Sequence, residues 1–420
     1  MVYFIYDLLL FVAALIYLPV YALRGRVHKK ILTRLGWGTQ DIEAKVAGHK
    51  DVIWIHAVSV GEARAVESLA RLIRRQWPQD KMVVSTVTPT GYAILAKFLK
   101  PDELVFYAPL DTSWVVARFI RILRPRLLLV METEIWPNLI RLNAARGARV
   151  IIVNGRISDK SFRGYSRMKW FLRPILKKID LFCMQSTESA GRIRVLGVPE
   201  SKLRVTGNIK FDLDADMKEP LFFSRLQESV RGQLLWVAGS THDNEEEMLL
   251  SIYRSLARDF KNLKLILAPR HLERIDKIKK MLRFNGFEPA FLSRLNVFSG
   301  RHVGLLDTMG DLSALYHLAD IVFIGGSLVK KGGHNPIEPA IFGKPVLFGP
   351  FMDNFREIRD IFLKEKAAVE VPDLPGLEYE MRRLLGDPSQ RVDLGQRGKR
   401  LLTIHRGAAE RTMAHIRGLS

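Results

Sequence analysis

Apolar positions fall into two regimes along the chain. Residues 2–23 form an almost unbroken apolar run, interrupted only by Asp7 and Pro19. At about 1.5 Å rise per residue, about 20 such residues make a helix long enough to cross a bilayer. From about residue 51 the pattern changes to short β-rich apolar runs at 52–55, 82–85, 127–130 and 150–153, separated by helix-period stretches at 63–76 and 114–123. Strands alternating with helices at this spacing predict βαβ units and a parallel, doubly wound sheet. A polar stretch at 212–218 interrupts the alternation, which restarts with apolar runs at 234–238, 263–267, 303–306, 321–324 and 345–347. The expected fold class is therefore α/β, with two Rossmann-like doubly wound domains facing a cleft and an N-terminal membrane-anchor helix ahead of them. The boundaries read as 1–24 anchor, 25–50 basic connector, 51–211 first domain, 212–232 linker, 233–398 second domain and 399–420 C-terminal helix.

Composition adds one feature. Lys and Arg number 65 against 44 Asp and Glu, a net charge of +21, which attracts nucleic acid, anionic membrane or phosphorylated substrates. No nucleic-acid reader motif is present, and an apolar anchor is out of place on such a protein. Arg24, Arg26, His28, Lys29, Lys30 and Arg34 follow the apolar run. A cleaved signal peptide needs basic residues before that run and small residues after it. The observed order fits an uncleaved anchor that keeps the rest of the chain on the cytoplasmic face of its membrane. Asp7 and Pro19 leave open whether it spans the bilayer or lies in the interface. Arg163, Arg167, Lys169, Arg173, Lys177 and Lys178 interleave with Tyr165, Trp170 and Phe171. On one helix, Arg163, Arg167 and Trp170 share a side, as a solvated face or as a patch for anionic headgroups. Cys183, the only cysteine, sits in an apolar run and reads as a buried strand residue.

Several strand ends run directly into Gly and polar residues, where loops carry function. His56-Ala-Val-Ser-Val-Gly-Glu62 is a strand, a turn and a helix start. Glu62 there is either a favourable helix-dipole charge or a site carboxylate. Met131-Glu-Thr-Glu-Ile-Trp-Pro-Asn138 places two carboxylates after an apolar strand. Gly207-Asn-Ile-Lys210 precedes the linker. Pro269-Arg-His271 offers a guanidinium able to hold phosphate or carboxylate through two hydrogen bonds. Asp307-Thr-Met-Gly-Asp311 and Gly325-Gly-Ser327 follow, then Gly332-Gly-His-Asn-Pro-Ile-Glu338. In these last two stretches paired glycines admit an anion to backbone N–H groups, and the helix start at Asn335 and Pro336 points at a phosphate. No His, Cys, Asp or Glu cluster has metal-ligand spacing, so no metal is expected.

In this order, over residues 20–360, these motifs resemble those of the Kdo transferases, GT-B glycosyltransferases that add 3-deoxy-D-manno-oct-2-ulosonic acid (Kdo) to the lipid A precursor of lipopolysaccharide. The resemblance implies an inverting, metal-independent transfer from CMP-Kdo, with no cofactor, onto a phosphorylated, acylated lipid. It implies Glu62 as general base and Glu132 and Lys210 as transition-state stabilisers. It also implies a CMP site at Pro269, Arg270, Met309, Gly310, Asp311, Asn335, Pro336, Ile337 and Glu338. One departure is visible: Asp311 stands where Glu is usual, a change expected to leave backbone contacts intact. The rivals are a nucleotide-sugar epimerase of the same fold, which needs no anchor, and a silent membrane-tethered lipid-binding protein, which needs none of Glu62, Glu132, Lys210 and Arg270. The sequence sets neither the number of sugars added nor the oligomeric state.

Overall fold

The computed structural model describes residues 2–23, 31–212, 219–294, 298 and 302–419. The chain divides into two compact units, one of residues 1–212 with 405–420 and one of residues 213–404. The first holds β1 (Val52–His56), β2 (Lys81–Thr86), β3 (Leu104–Tyr107), β4 (Pro125–Met131), β5 (Arg149–Gly155), β6 (Leu181–Met184) and β7 (Leu203–Val205). They form one seven-stranded sheet in the order β3-β2-β1-β4-β5-β6-β7, with every pair parallel. Between the edge strands β3 and β7 its strands are buried on both faces, which is why β1, β2, β4 and β5 read as continuous apolar runs. Trp54, Val83, Leu128, Val130 and Ile152 point into one core cluster, and Ile53, Ile55, Val84, Leu129 and Ile151 into the other.

The second unit repeats the plan with β8 (Leu234–Thr241), β9 (Leu263–Pro269), β10 (Glu288–Phe291), β11 (His302–Leu305), β12 (Ile321–Ile324), β13 (Val346–Phe348) and β14 (Val369–Glu370). Its order is β10-β11-β9-β8-β12-β13-β14, again all parallel. The α/β expectation thus holds in both units. Short strands such as β7, β10 and β14 escaped the sequence because so few residues carry too little periodicity.

Three expectations change. The apolar N-terminal run does form a helix, Val2–Leu23, but among the described residues no helix is long and apolar enough to cross a membrane. One side of it is docked. Tyr3 and Tyr6 pack against the first core, with ring centroids 6.3 and 6.0 Å from Phe171. Asp7 is buried, and its carboxylate accepts from Asn138 Nδ2 at 2.8 Å and from the backbone N–H of Ser113 at 3.0 Å. The charge that interrupts the apolar run is thus a docking contact. Residues 24–30, at the start of the basic connector, lie outside the described residues; the rest of the connector holds short helices Ile31–Arg34 and Gln40–Val46.

Second, the basic stretch is not one helix. Helices Asp159–Arg167 and Lys169–Leu176 break at Met168, so Arg167 and Trp170 do not share a helix face. Both are exposed all the same. Third, the single C-terminal helix expected over 399–420 is two helices, Pro388–His405 and Ala408–Arg417, split at Gly407 with φ +84°. The second of them belongs to the first unit, burying Ala408, Ala409, Met413 and Ile416 in its core. The expected linker at 212–232 contains helix Phe223–Ser229; its residues 213–218 lie outside the described residues. Cys183 is buried, and burial pushes its thiol up to about 12.

Candidate functional site

In a doubly wound sheet, ligands gather at the carboxyl ends of the strands where the strand order reverses. In the first unit that point lies between β1 and β4. The chain leaves β1 and enters helix Val60–Gln76 through a capping box: Ser59 Oγ accepts from the Glu62 N–H, and Glu62 Oε1 accepts from the Ser59 N–H at 3.2 Å. Oε2 accepts from the Val58 N–H at 2.8 Å. Glu62 is therefore a helix cap, as its bland reading has it, and it is also only 3% exposed. Burial raises its carboxyl to about 7, helped by Glu132 and Glu134 and opposed by the Val58 N–H and the Ser59 side chain. Each oxygen keeps a second lone pair, so the group can still take a proton, and near neutral pH it is poised to.

Glu132 follows β4 in the left-handed region at φ +53°, its N–H bonded to Val153 O at 2.8 Å. A non-glycine residue held there stores strain, of order 1 to 3 kcal/mol. Its Oε1 lies 2.7 Å from Lys210 Nζ. Lys210 sits on a single turn, Ile209–Asp212, over the first turn of the Glu62 helix: a Cβ added at Gly61 would lie 3.5 Å from its ammonium. Three residues to which sequence reasoning gave no role hold this turn. Asn154, at φ +56° in β5, accepts from the Ile209 N–H at 2.9 Å, and Asn208 accepts from the Lys210 N–H at 3.0 Å. Asp212 accepts from the N–H groups of Gly407 at 2.7 Å and Ala409 at 2.6 Å, capping the returning C-terminal helix. The C-terminus thereby fixes one end of the turn that carries Lys210.

His56 is fully buried, with Nδ1 at 2.9 Å from Ser85 Oγ. Burial and the nearby Arg34 push it down to about 3, which leaves it neutral. Its surroundings are those of a structural group. Asn138 likewise serves the docked N-terminal helix.

In the second unit the order reverses between β8 and β12. The glycine turn after β12 departs from expectation. The N–H groups of Gly326 (2.7 Å), Ser327 (3.1 Å) and Leu328 (3.0 Å) all donate to Glu245, a fully buried carboxylate. The anion this turn holds is internal, so those donors are not open to a ligand. Gly325 is required for close approach, since a Cβ there would lie 2.4 Å from Ser240 O. Helix Ile337–Ile341 has only 5 residues, and its first N–H goes to Asn335 Oδ1 at 3.1 Å, so its helix-dipole contribution is small. Asn335 Nδ2 in turn reaches Glu338 Oε1 at 3.3 Å, and Pro336 precedes that helix.

Pro269 ends β9, and the next N–H, that of Arg270, donates to Thr241 O at 2.9 Å. Among the described residues the Arg270 guanidinium has no carboxylate partner. Beyond β11, Met309 is 69% exposed, Gly310 lies at φ +96° with open space at its Cβ position, and Thr308 Oγ1 donates to Asp311. Sequence reasoning missed Ser240-Thr241-His242 at the end of β8, although an apolar strand running into polar residues was the signal used elsewhere. His242 Nε2 lies 2.9 Å from His334 Nε2. Burial pushes His242 down to about 4, assisted by His271, Lys331, Arg274 and Arg270. Among the described residues no group of three or more His, Cys, Asp or Glu could hold a metal ion.

A family model described as 3-deoxy-D-manno-octulosonic-acid transferase matches residues 29–213. The chain is 36% identical over 370 residues to the 3-deoxy-D-manno-octulosonic acid transferase of Haemophilus influenzae, covering 86% of this chain and 85% of the relative. The chain belongs to that family. It is a glycosyltransferase. A second relative, the enzyme of the same name from Chlamydophila psittaci, is 30% identical over 97% of this chain and 94% of its own. Among solved structures, a UDP-GlcNAc 2-epimerase from Neisseria meningitidis bound to UDP-GlcNAc matches with a TM-score of 0.58. It is 12% identical over 87% of this chain and 98% of its own, a likeness of fold alone.

Proposed function

We propose that this transferase moves Kdo from CMP-Kdo to the lipid A precursor, with inversion and without a metal ion, in lipopolysaccharide biosynthesis. The observation that carries the chemistry is Glu62, a buried carboxylate raised to about 7 beside the Glu132–Lys210 pair. Glu62 takes the proton of the acceptor hydroxyl as that oxygen attacks the anomeric carbon. The preformed carboxylate and ammonium stabilise charge that develops on the sugar and the leaving phosphate. The CMP side falls to the second unit, with Arg270 as the cation for the phosphate or the sugar carboxylate and Pro269, Met309–Asp311 and Asn335–Glu338 around it. Incubating the protein with CMP-Kdo and lipid A precursor tests this reading. CMP release with a matching mass gain on the lipid is expected, and release without mass gain, or none, overturns it.

The acceptor is a lipid, and the N-terminal helix supports a seat at the inner face of the inner membrane. Its undocked side exposes Phe4, Ile5, Leu8, Leu9, Phe11 and Leu15, an apolar stripe suited to lying in the interface. Trp114, with its ring 6.5 Å from Phe11, and Trp170, with its ring 6.0 Å from Phe171, are exposed nearby. Exposed Arg163, Arg167, Lys169 and Arg173 supply charge for anionic headgroups. Replacing Leu8 and Leu9 with Glu leaves the docked side intact and should release the protein from anionic vesicles in high salt; retention there refutes the interfacial seat.

A further inference from the structure

The pair His242–His334 stands at the point of the second sheet where β8 and β12 diverge, and no role assigned so far uses it. The two rings lie within 7° of parallel with centroids 5.2 Å apart, and their Nε2 atoms are separated by 2.9 Å. The contact is therefore an in-plane N–H···N hydrogen bond with one proton between the rings, since two opposed N–H groups would repel. Both rings pack on Gly326, where a Cβ would come within 3.1 Å of His242 and 3.3 Å of His334. His242 Nδ1 makes no hydrogen bond among the described residues. Around His242 stand Lys331 and His334 from the glycine-rich loop, Arg270 and His271 after β9, Arg274 beyond them, and Glu245 and Glu246 on the helix that follows.

Such a pair can accept one proton without breaking its own link. In the neutral pair, one ring has N–H at Nε2 and a lone pair at Nδ1, while the other accepts at Nε2. When His242 is the ring that donates from Nε2, a proton added at its Nδ1 leaves the Nε2 bond in place and turns that acceptor into a donor. Without an anion, the surrounding cations and the burial disfavour that charge. A bound phosphate reverses the balance, because it meets a donor in place of a lone pair and offsets the neighbouring cations.

We propose that the His242–His334 pair takes up one proton when the CMP-sugar binds and delivers it to the phosphate oxygen that leaves with CMP. The proposal rests on the reading that the second unit binds this donor. In the transfer, the bond between the anomeric carbon and the phosphate oxygen breaks and its electron pair stays on that oxygen. The acceptor oxygen bonds to the carbon and gives its proton to Glu62. The phosphate would pass from one negative charge to two, and the imidazolium proton moves onto it instead. The pair returns to its single shared proton, and Glu62 later releases its own proton to solvent, so one proton enters with the donor and one leaves after transfer.

Calorimetric titration with CMP at pH 7.5, in buffers of differing ionisation enthalpy, reads the proton directly. CMP, whose phosphate pKa is about 6, is then nearly all dianion. Uptake approaching one proton is expected for the wild type, with Kd rising close to tenfold per pH unit between pH 7 and 8.5. His242→Gln should bind CMP with no proton uptake and a flat pH dependence. His334→Gln, the second variant should the first not fold, should behave alike. Wild-type binding without uptake overturns the proposal, and so does equal uptake in the variants, which would put the proton on the phosphate itself. A wild type that does not bind CMP at all overturns instead the donor reading on which the proposal rests.

Discussion

The two sheets share a plan and a topological reversal, yet what stands at each reversal differs in kind. In the first unit it is carboxylates: Glu62 with both oxygens tied to backbone N–H groups, and Glu132 paired with Lys210 at 2.7 Å. In the second it is cations and imidazoles, with Arg270 unpaired by any carboxylate among the described residues and two buried acids already engaged, Glu245 by the glycine turn and Glu246 by Arg274. A site that must accept a proton keeps a buried, raised carboxylate. The second reversal spends its buried acids on the glycine turn and on Arg274 and keeps Arg270 clear of carboxylates among the described residues. On the proposed reading, the same scaffold carries at one reversal the carboxylate that takes the acceptor's proton and at the other an anion-handling cluster of cations and imidazoles.

The largest expected effect breaks the first half of that contrast. Glu62→Gln preserves the capping box, since Gln serves at that position as well as Glu, but removes the base. Turnover should fall about 10² to 10⁴-fold with CMP affinity nearly unchanged by calorimetry. Near-normal turnover would return Glu62 to its capping role alone. Stability gives an independent check. A carboxyl whose folded pKa is raised from 4.5 to about 7 contributes stability that is full at low pH and lost as pH rises through about 7. Glu62→Gln should therefore melt higher than the wild type at pH 8 relative to pH 5, and a pH-independent difference would contradict the raised pKa.

Glu132 sharpens the contrast from the other side. Its charge is one cause of the raised Glu62 pKa, so Glu132→Gln should both slow turnover and move the acid limb of the pH–rate profile to lower pH. A slower enzyme with an unmoved limb would mean that Glu132 acts on the transition state without tuning the base. Arg270→Ala probes the anion-handling unit. Loss of a charge-assisted contact worth about 1.5 to 3 kcal/mol should weaken CMP binding about tenfold or more, and unchanged affinity would remove Arg270 from the donor contacts.

What the sequence made legible follows from the size of each signal. Long buried strands and the polar residues directly after them were readable, which is how Glu62, Glu132 and Arg270 stood out. Contacts between distant segments were not. Nothing around Asp212 announces that it caps a helix at Ala408, or around Asp7 that it meets Asn138, because sequence distance hides partners that folding brings together. The glycine turn misled for a related reason: Gly325-Gly-Ser327 is built to surround an anion, and only the fold reveals that the anion is Glu245. His242 was missed despite a readable signal, since Ser240-Thr241-His242 follows an apolar strand as the other motifs do.

The smallest effect is expected at Asp311. Its carboxylate is engaged by Thr308 Oγ1 within its own loop, and its carbonyl accepts from the Ala314 N–H at 3.2 Å as the next helix begins. The shape of the loop is set by Gly310 at φ +96°, a conformation a side chain rarely adopts. If the donor is recognised here by backbone N–H groups, the length of the Asp311 side chain matters little. Asp311→Glu adds one methylene that can extend outward while keeping a carboxylate near Thr308, so CMP affinity should stay within about threefold, well under the 1.4 kcal/mol that a tenfold change represents. Gly310→Ala, by contrast, forces a Cβ into the left-handed region at a cost of about 1 kcal/mol or more and should weaken binding further than Asp311→Glu does. Measuring both by calorimetry separates the two modes of recognition. A tenfold change for Asp311→Glu with a mild effect at Gly310 would show the carboxylate itself meeting the donor.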